Sequence, residues 1–149
     1  MVNHVVVLGS INVDTTYHVN RFPQPGETIA AQSKSSAPGG KGANQAVAAA
    51  RSGNEGQYML EALKENDIDT SHINIDKYHG TGSAAITLDA NGQNDIMVYG
   101  GANQAMQPGE FGDLSELLAH TDFLIAQFET PQAVALDLFK QAKKQGVTT

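Results

Sequence analysis

The strongest constraint on the fold is a short apolar run close to the start of the chain. Val5-Val6-Val7-Leu8 is apolar throughout and ends at Gly9-Ser10. A strand with one solvent-exposed face alternates apolar and polar residues, whereas a strand of a parallel sheet is covered on both faces and is apolar throughout. Phe123-Leu124-Ile125-Ala126 is a second run of this kind. The two runs predict buried strands of a parallel sheet and therefore an α/β fold.

The composition limits which functions the chain can have. Its 149 residues suit one domain, and the absence of cysteine excludes disulfides, thiolate metal sites and a cysteine nucleophile. The formal net charge of -7 excludes a uniformly basic surface for nucleic acid. No apolar run approaches the roughly 20 residues that span a bilayer, and the first residues do not resemble a secretory signal. We expect an acidic cytoplasmic protein that binds neither nucleic acid nor membranes.

Four further segments have strand character. Residues 15–19 favour a strand, and Thr28-Ile29-Ala30 favours an extended segment more weakly. Residues 83–89 and 95–99 flank an Asn-Gly pair, the strongest short-range signal for a hairpin. Because small or polar residues alternate with apolar ones in the first of these two segments, we expect an antiparallel flap with one exposed face.

Four helices are predicted from alanine content, apolar spacing and end signals. They cover residues 43–51 and 56–66, a stretch from about residue 111 to 120, and a stretch that begins at Thr130-Pro131 and ends at Gly146. Threonine as N-cap followed by proline in the first turn is a good helix start. Val134, Leu138 and Ala142 share one face of the last helix and should be buried.

The segment Gly39-Gly40-Lys41-Gly42-Ala43-Asn44 is the clearest candidate for a binding loop. Its glycines let the backbone approach a ligand closely, and a helix start behind them would offer free N–H groups. The segment fits neither a Walker A loop, which needs Ser or Thr after the lysine, nor a dinucleotide-binding fingerprint, which needs a preceding parallel strand. An ordinary glycine turn that begins a helix is an equally good interpretation of the spacing alone.

Polar side chains follow both buried strands. Asn12 and Asp14 come shortly after the first strand, and Glu129 follows the second. Ligands of open α/β sheets bind at this edge, and a carboxylate there can accept hydrogen bonds from two sugar hydroxyls. Taken singly, Asp14 is better explained by a local turn and Glu129 by a favourable position at a helix N-terminus. Together they favour a polyol-binding site.

Other catalytic chemistry finds little support. The five histidines lack zinc-type spacing, so we expect no metal site within this chain. Ser10 lacks the strand–turn–helix surroundings of a nucleophilic serine.

Several motifs in order resemble those of the ribokinases, within the broader ribokinase-like sugar kinases. They are Gly9-Ser10-Ile11-Asn12-Val13-Asp14, Pro25-Gly26-Glu27-Thr28, Gly39-Gly40-Lys41-Gly42-Ala43-Asn44-Gln45-Ala46, Gly100-Gly101-Ala102-Asn103 and Glu129-Thr130-Pro131. The third block is specific for ribokinases. The resemblance covers essentially the whole chain.

The resemblance implies an α/β fold with a three-layer core and a small β-sheet lid, of which residues 1–149 are the incomplete, N-terminal substrate-binding part. The lid segments would lie near 15–33 and 82–100, and the lid would also form a homodimer contact. The complete enzyme would transfer the γ-phosphate of ATP to the 5-hydroxyl of D-ribose, with Mg²⁺ and a monovalent cation such as K⁺. The residues that would hold the sugar are Asn12, Asp14, Gly40, Lys41, Gly42, Asn44 and Glu129, while Ala84 and Ile86 of the lid would close over it.

The chain departs from this pattern in two places. Between the predicted helices over 43–51 and 56–66, ribokinases have a further core strand and a loop, on the order of 10–18 residues that are missing near residues 53–56 here. Ribokinases also continue beyond residue 149 with the catalytic base, the ATP pocket and the cation site. We therefore expect no catalytic residue in this chain and little activity from it alone.

Two alternatives stay open at this point. The complete protein could phosphorylate another sugar or a nucleoside instead of ribose. The chain could also be a noncatalytic sugar-binding or assembly module.

Overall fold

The computed structural model describes residues 4–42 and 54–149. Its strands are β1 (Val5–Leu8), β2 (Asn12–His18), β3 (Ser33–Gly39), β4 (Gly82–Leu88), β5 (Asn94–Tyr99) and β6 (Phe123–Ala126). Its helices are α1 (Asn54–Glu65), α2 (Ala102–Ala105), α3 (Ser115–Ala119) and α4 (Gln132–Lys144). The predicted helix over residues 43–51 lies outside the described residues. No helix in the described ranges is both long enough and apolar enough to cross a membrane.

The two apolar runs pair as parallel strands, which confirms the predicted α/β class. β1 lies beside β6, with Val5 opposite Phe123 and Leu8 opposite Ala126, and we call these two strands the core pair. The expectation that both faces are covered is wrong for part of this pair. Val5, Phe123 and Ile125 are 39–51% exposed, because the residues described here place only two strands in this sheet and cover its second face incompletely.

The covered face of the core pair packs against α4. The predicted stripe Val134, Leu138 and Ala142 is buried there, in a cluster that includes Leu8 and Leu124. The helix ends as predicted at Gly146, which has φ +79°, and Val147 N donates to Ala142 O at 3.1 Å.

The predicted start of this helix is wrong by one residue. Pro131 occupies the N-cap position of α4. Thr130 makes no capping bond, and its hydroxyl is buried without a hydrogen-bond partner within the described residues. Pro131 O instead accepts the first helical bond, from Val134 N at 3.0 Å.

The other four strands form a mixed sheet in the order β3-β2-β4-β5, which we call the lid sheet. β2 is antiparallel to β3 and parallel to β4, and β4 and β5 form the predicted hairpin around Asn91-Gly92. Residues 94–99 are all exposed, so β5 is an open edge.

The first two lid strands extend beyond the segment predicted over residues 15–33. β2 begins at Asn12, which pairs with Gly39 on one side and Gly82 on the other. No strand forms at Thr28-Ile29-Ala30, and β3 lies later in the chain. β3 is rich in serine and exposed up to Pro38, so its strand conformation comes from seven residue pairs with β2 rather than from apolar patterning.

The helix α1 packs against the lid sheet, whereas α3 packs against α4. α1 starts two residues before its predicted limit, and its Met59 and Leu63 pack against Ile11 and Val13 at the base of β2. α3 is shorter than predicted, because a turn with a bond from Gly112 N to Gly109 O precedes it. The short α2 follows β5 directly.

The buried stripe of α4 yields a stability prediction. Leu138→Ala in the complete protein should lower the free energy of unfolding by about 2–5 kcal/mol, because it leaves a cavity in the cluster under the core pair. Leu136→Ala on the same helix is the matched control, since Leu136 is 54% exposed and Leu138 only 5%. Urea denaturation followed by circular dichroism measures both, and equal losses would contradict the packing described.

Candidate binding site

The glycine-rich segment lies directly against the turn that follows β1. It begins at the end of β3, which is an antiparallel strand, so its context differs from that of a dinucleotide-binding loop. A Cβ on Gly42 would lie 2.1 Å from the carbonyl carbon of Gly9, and one on Gly9 would lie 2.2 Å from Gly42 Cα. Only glycine allows this approach of two backbones. The contact places Gly40, Lys41 and Gly42 beside Ser10.

Glu129 joins these two segments from the end of β6. Its carboxylate accepts hydrogen bonds from Ser10 Oγ at 2.6 Å, Lys41 Nζ at 2.7 Å and Lys41 N at 3.1 Å. The bonds from the Lys41 side chain and from Ser10 hold the pKa of Glu129 below its ordinary value of 4.5. Glu129 therefore bonds the glycine-rich segment and the turn after β1. Its role is more than that of a negative charge near the start of a helix.

The pKa of Asp14 is shifted in the opposite direction. It lies within β2, so it is not a turn residue, and its carboxyl group packs over Gly39. Its Oδ1 is buried without a hydrogen-bond partner within the described residues. Burial, and secondarily the negative charge of Glu129, raise the pKa of Asp14 above 3.8. The unpaired oxygen marks a position where a ligand could donate a hydrogen bond.

Asn12 is oriented by a residue to which the sequence pattern assigned no role. Asn103 Nδ2 donates to Asn12 Oδ1 at 2.9 Å. This bond assigns the orientation of the Asn12 amide, since its oxygen faces Asn103 and its nitrogen faces away. Asn12 Nδ2 has no acceptor among the described side chains and remains a donor for a ligand. The Gly100-Gly101-Ala102-Asn103 motif was the one signal for Asn103.

The predicted lid residues share a face with Asp14. Asp14 is directly opposite Ala84 in the parallel register of β2 and β4, and Ile86 is two residues farther along β4. Because side chains two apart point to the same side of a sheet, all three are on one face. Ala84 is buried and Ile86 is half-buried.

The structure thus brings most of the predicted site residues to one region. Lys41 and Ser10 both donate hydrogen bonds to Glu129, and Gly40 and Gly42 lie against the backbone of Ser10. Glu129 is close enough to Asp14 to influence its ionisation. Asn44 lies outside the described residues. Within the described ranges no group of three or more His, Cys, Asp or Glu side chains could hold a metal ion.

The interaction between Asp14 and Glu129 predicts a coupled titration. Glu129→Gln should lower the pKa of Asp14 by removing a nearby negative charge, yet leave it above 3.8 because burial is the larger cause. A carboxyl ¹³C NMR titration of the complete protein measures this shift. Glu110→Gln is the control, because Glu110 is not among the groups that act on Asp14. An unchanged Asp14 pKa in Glu129→Gln would contradict the proximity of the two carboxylates.

The same shift predicts how stability depends on pH. A raised pKa means that the folded state binds the Asp14 proton more tightly than the unfolded chain, so this contribution is present below pH 3.8 and is lost as pH rises through the raised pKa. Asp14→Asn should therefore gain free energy of unfolding relative to the parent over this window. Urea titrations at several pH values test this, and a difference that shrinks as pH rises would contradict it.

Gly39 yields a steric prediction. A Cβ at this position would lie 2.0 Å from Asp14 Oδ2, so Gly39→Ala must displace the carboxylate. We expect a loss of about 1–3 kcal/mol in the free energy of unfolding, the usual cost of overpacking, and an altered Asp14 titration. Gly80→Ala is the control, because its added Cβ would meet its nearest atom at 3.8 Å. Similar effects of the two substitutions would exclude the proposed contact.

Comparisons with known proteins agree with this geometry. The chain matches the model of the pfkB family carbohydrate kinases over residues 2–149. It is 43% identical to the ribokinase of Staphylococcus aureus over 162 positions, which cover 100% of this chain and 53% of the relative. It is also 39% identical to the ribokinase of Haemophilus influenzae, covering 96% of this chain and 51% of the relative.

A solved structure shows the same fold. The structure of Arabidopsis thaliana ribokinase complexed with ribose and ATP superposes with a TM-score of 0.88 at 31% identity, covering 99% of this chain and 52% of the other. The chain thus spans about half the length of the relatives it matches. The alignment with the S. aureus protein extends over 162 positions, 13 more than the 149 residues of this chain, so it includes positions at which this chain has no residue. On the match over nearly its whole length, this chain belongs to the pfkB family of carbohydrate kinases.

Proposed function

We propose that the complete protein is a cytoplasmic kinase that transfers the γ-phosphate of ATP to the 5-hydroxyl of D-ribose, and that this chain supplies its sugar-binding part. The observation that carries the proposal is Asp14 Oδ1, which is buried near Glu129 and has no hydrogen-bond partner among residues 4–42 and 54–149. Beside it in the sequence of β2, Asn12 accepts from Asn103 through its amide oxygen, which leaves its nitrogen as a donor. Ribokinases at 43% and 39% identity, and a neighbouring structure solved with ribose and ATP, support the choice of sugar.

The donors and acceptors suit a sugar with adjacent hydroxyls. A hydroxyl both donates and accepts, so it can donate to the Asp14 carboxylate while accepting from Asn12 Nδ2. Lys41 does not need to reach the sugar in order to contribute, because its ammonium neutralises Glu129 and fixes that carboxylate in place. Gly40 and Gly42 let the backbone of the loop approach the ligand. By resemblance, Asn44 adds a further amide.

The lid would serve to exclude water. Ala84 and Ile86 are apolar and share the Asp14 face of the lid sheet. A bound sugar would therefore have its hydroxyls at the carboxylates and an apolar surface over it. Excluding water matters because water competes with the sugar hydroxyl as acceptor of the phosphoryl group.

The phosphoryl-transfer machinery would come from the rest of the complete protein. Among the described residues, no cluster of three or more His, Cys, Asp or Glu side chains is available to hold a metal ion. No side chain among them is placed as a catalytic base, since Asp14 is committed to binding hydroxyls. Phosphoryl transfer requires positioning and charge neutralisation of the phosphates, which sugar contacts alone do not provide. We therefore assign ATP and the expected Mg²⁺ and K⁺ to the part of the protein that the relatives have and this chain does not include.

The open edge of the lid sheet supports a homodimer. Ile96, Met97, Val98 and Tyr99 of β5 are 48–70% exposed. An exposed apolar edge strand with unpaired backbone groups is suited to pairing with another chain. A second copy of the same lid sheet would cover it.

Two other functions can be separated from this one. Comparing ATP-dependent phosphorylation of ribose, fructose and adenosine by the complete protein distinguishes a ribokinase from a kinase for another sugar or a nucleoside. Assaying the purified 149-residue chain tests the noncatalytic alternative. Turnover by this chain would exclude a noncatalytic role. Ribose binding without turnover is expected both of a sugar-binding module and of the sugar-binding part of a kinase, so turnover by the complete protein decides between those two.

The sugar site predicts the effect of removing its buried carboxylate. Asp14→Ala in the complete protein should weaken ribose binding by about 1–3 kcal/mol, or about 5- to 150-fold, because a sugar hydroxyl loses its acceptor. Isothermal titration calorimetry with ribose measures the change. Asp95→Ala is the matched control, since Asp95 is an exposed aspartate of the same lid sheet. Unchanged affinity in Asp14→Ala would refute the assignment.

A further inference from the structure

The second glycine motif, Gly100-Gly101-Ala102-Asn103, connects the lid sheet to α2 in a tightly packed turn. Gly101 has φ +54°, and a Cβ there would lie 2.3 Å from Gly80 O. Ala102 N donates to the same carbonyl at 2.9 Å. The turn is thus held against the residues that lead into β4. Its packing places the next two side chains, Asn103 and Gln104, at a fixed distance from the lid.

Both polar atoms of the Asn103 side-chain amide form hydrogen bonds with the turn between β1 and β2. It is 1% exposed and lies 92 residues from its partner Ile11. Its Oδ1 accepts from Ile11 N at 2.9 Å, and its Nδ2 donates to Ile11 O at 2.9 Å as well as to Asn12 Oδ1. The amide therefore bonds both backbone groups of Ile11 and the side chain of Asn12.

Gln104 makes an equivalent contact with the other side of the site. Its Nε2 donates to the backbone carbonyl of Glu129 at 2.7 Å. Two consecutive residues of one short helical turn therefore hold the two chain segments that follow β1 and β6.

We propose that Asn103 is a positioning residue for sugar binding, which fixes the amide of Asn12 with its nitrogen directed at the ligand, and that Gln104 holds the backbone of Glu129 in the same way. This inference rests on the proposed function. Asn103 is too deeply buried to touch a sugar itself, so its effect on affinity must pass through Asn12. With Asn103 replaced by an apolar side chain, the Asn12 amide could rotate and present its oxygen instead of its nitrogen.

A double-mutant cycle separates this role from a merely structural one. Asn103→Leu, Asn12→Ala and the double variant are made in the complete protein, and ribose affinity is measured by calorimetry. We expect each single substitution to weaken ribose binding by about 10-fold, the effect of losing one hydrogen bond of about 1.4 kcal/mol. The double variant should bind ribose no less tightly than the single variant with the lower affinity. Asn66→Leu is the control, because Asn66 also bonds a backbone carbonyl, that of Ala62, but at the end of α1.

Specific outcomes would overturn the proposal. If the losses in the double variant multiply, or if Asn103→Leu binds ribose as the parent does, Asn103 does not act through Asn12. If Asn103→Leu fails to fold, Asn103→Asp takes its place, because it keeps the acceptor for Ile11 N and loses the donors to Asn12 Oδ1 and Ile11 O. The proposal would equally be overturned if Asn103→Asp weakened ribose binding by the same factor in the parent and in the Asn12→Ala variant.

A second readout keeps the inference separate from the proposed function. The side-chain amide ¹H–¹⁵N resonances of Asn12, assigned by their loss in Asn12→Ala, should shift in Asn103→Leu and not in Asn66→Leu. Failure of the parent to bind ribose would refute the proposed function, while these resonances would still decide whether Asn103 orients Asn12. Unshifted resonances in Asn103→Leu would refute the orienting role whatever the ligand.

Discussion

The close contact between Gly9 and Gly42 determines the geometry of the candidate site. Any side chain at either position would push the two backbones apart. With the contact in place, Lys41 reaches Glu129 with both its backbone N–H and its ammonium group, and Ser10 reaches the same carboxylate from the other side. Three segments that are distant in sequence are thereby tied together by one acidic side chain. The glycines supply the approach, and Glu129 supplies the bonds that hold it.

The surroundings of the two carboxylates of the site shift their pKa values in opposite directions. Lys41 pairs with Glu129 and favours its charged form, whereas Asp14 is buried near that charge, and its Oδ1 has no hydrogen-bond partner among the described residues. A buried acceptor without a partner costs stability, and a ligand that donates a hydrogen bond to it recovers that cost on binding. The unpaired oxygen of Asp14 therefore lowers the stability of the folded state at the point where a hydroxyl would bind, while the bonds of Glu129 stabilise the surrounding segments.

The features that could be predicted from the sequence are those that depend on residues close together in the chain. The strands at Val5–Leu8 and Phe123–Ala126, the hairpin and the stripe of α4 were predictable because each depends on a short pattern. β3 was missed because its strand conformation depends on pairing with β2, and the exposure of Val5 depends on what packs against it. Asp14 and Glu129 were proposed from their places after buried strands. The role of Asn103 was not, since it depends on contacts 91 and 92 residues away.

The site also joins two parts of the fold that are otherwise separate sheets. Asn12 and Asp14 are on β2, the strand at the centre of the lid sheet, whereas Glu129 follows β6 of the core pair. A ligand bound by both would therefore tie the lid sheet to the core pair. Because β2 pairs with β4 along seven residues, the lid hairpin cannot shift as a unit without moving Asp14. In the function proposed here, closure of the lid and binding of the sugar hydroxyls would therefore be a single event. The short α2, which bonds Asn12 on one side and the Glu129 backbone on the other, connects the two sheets.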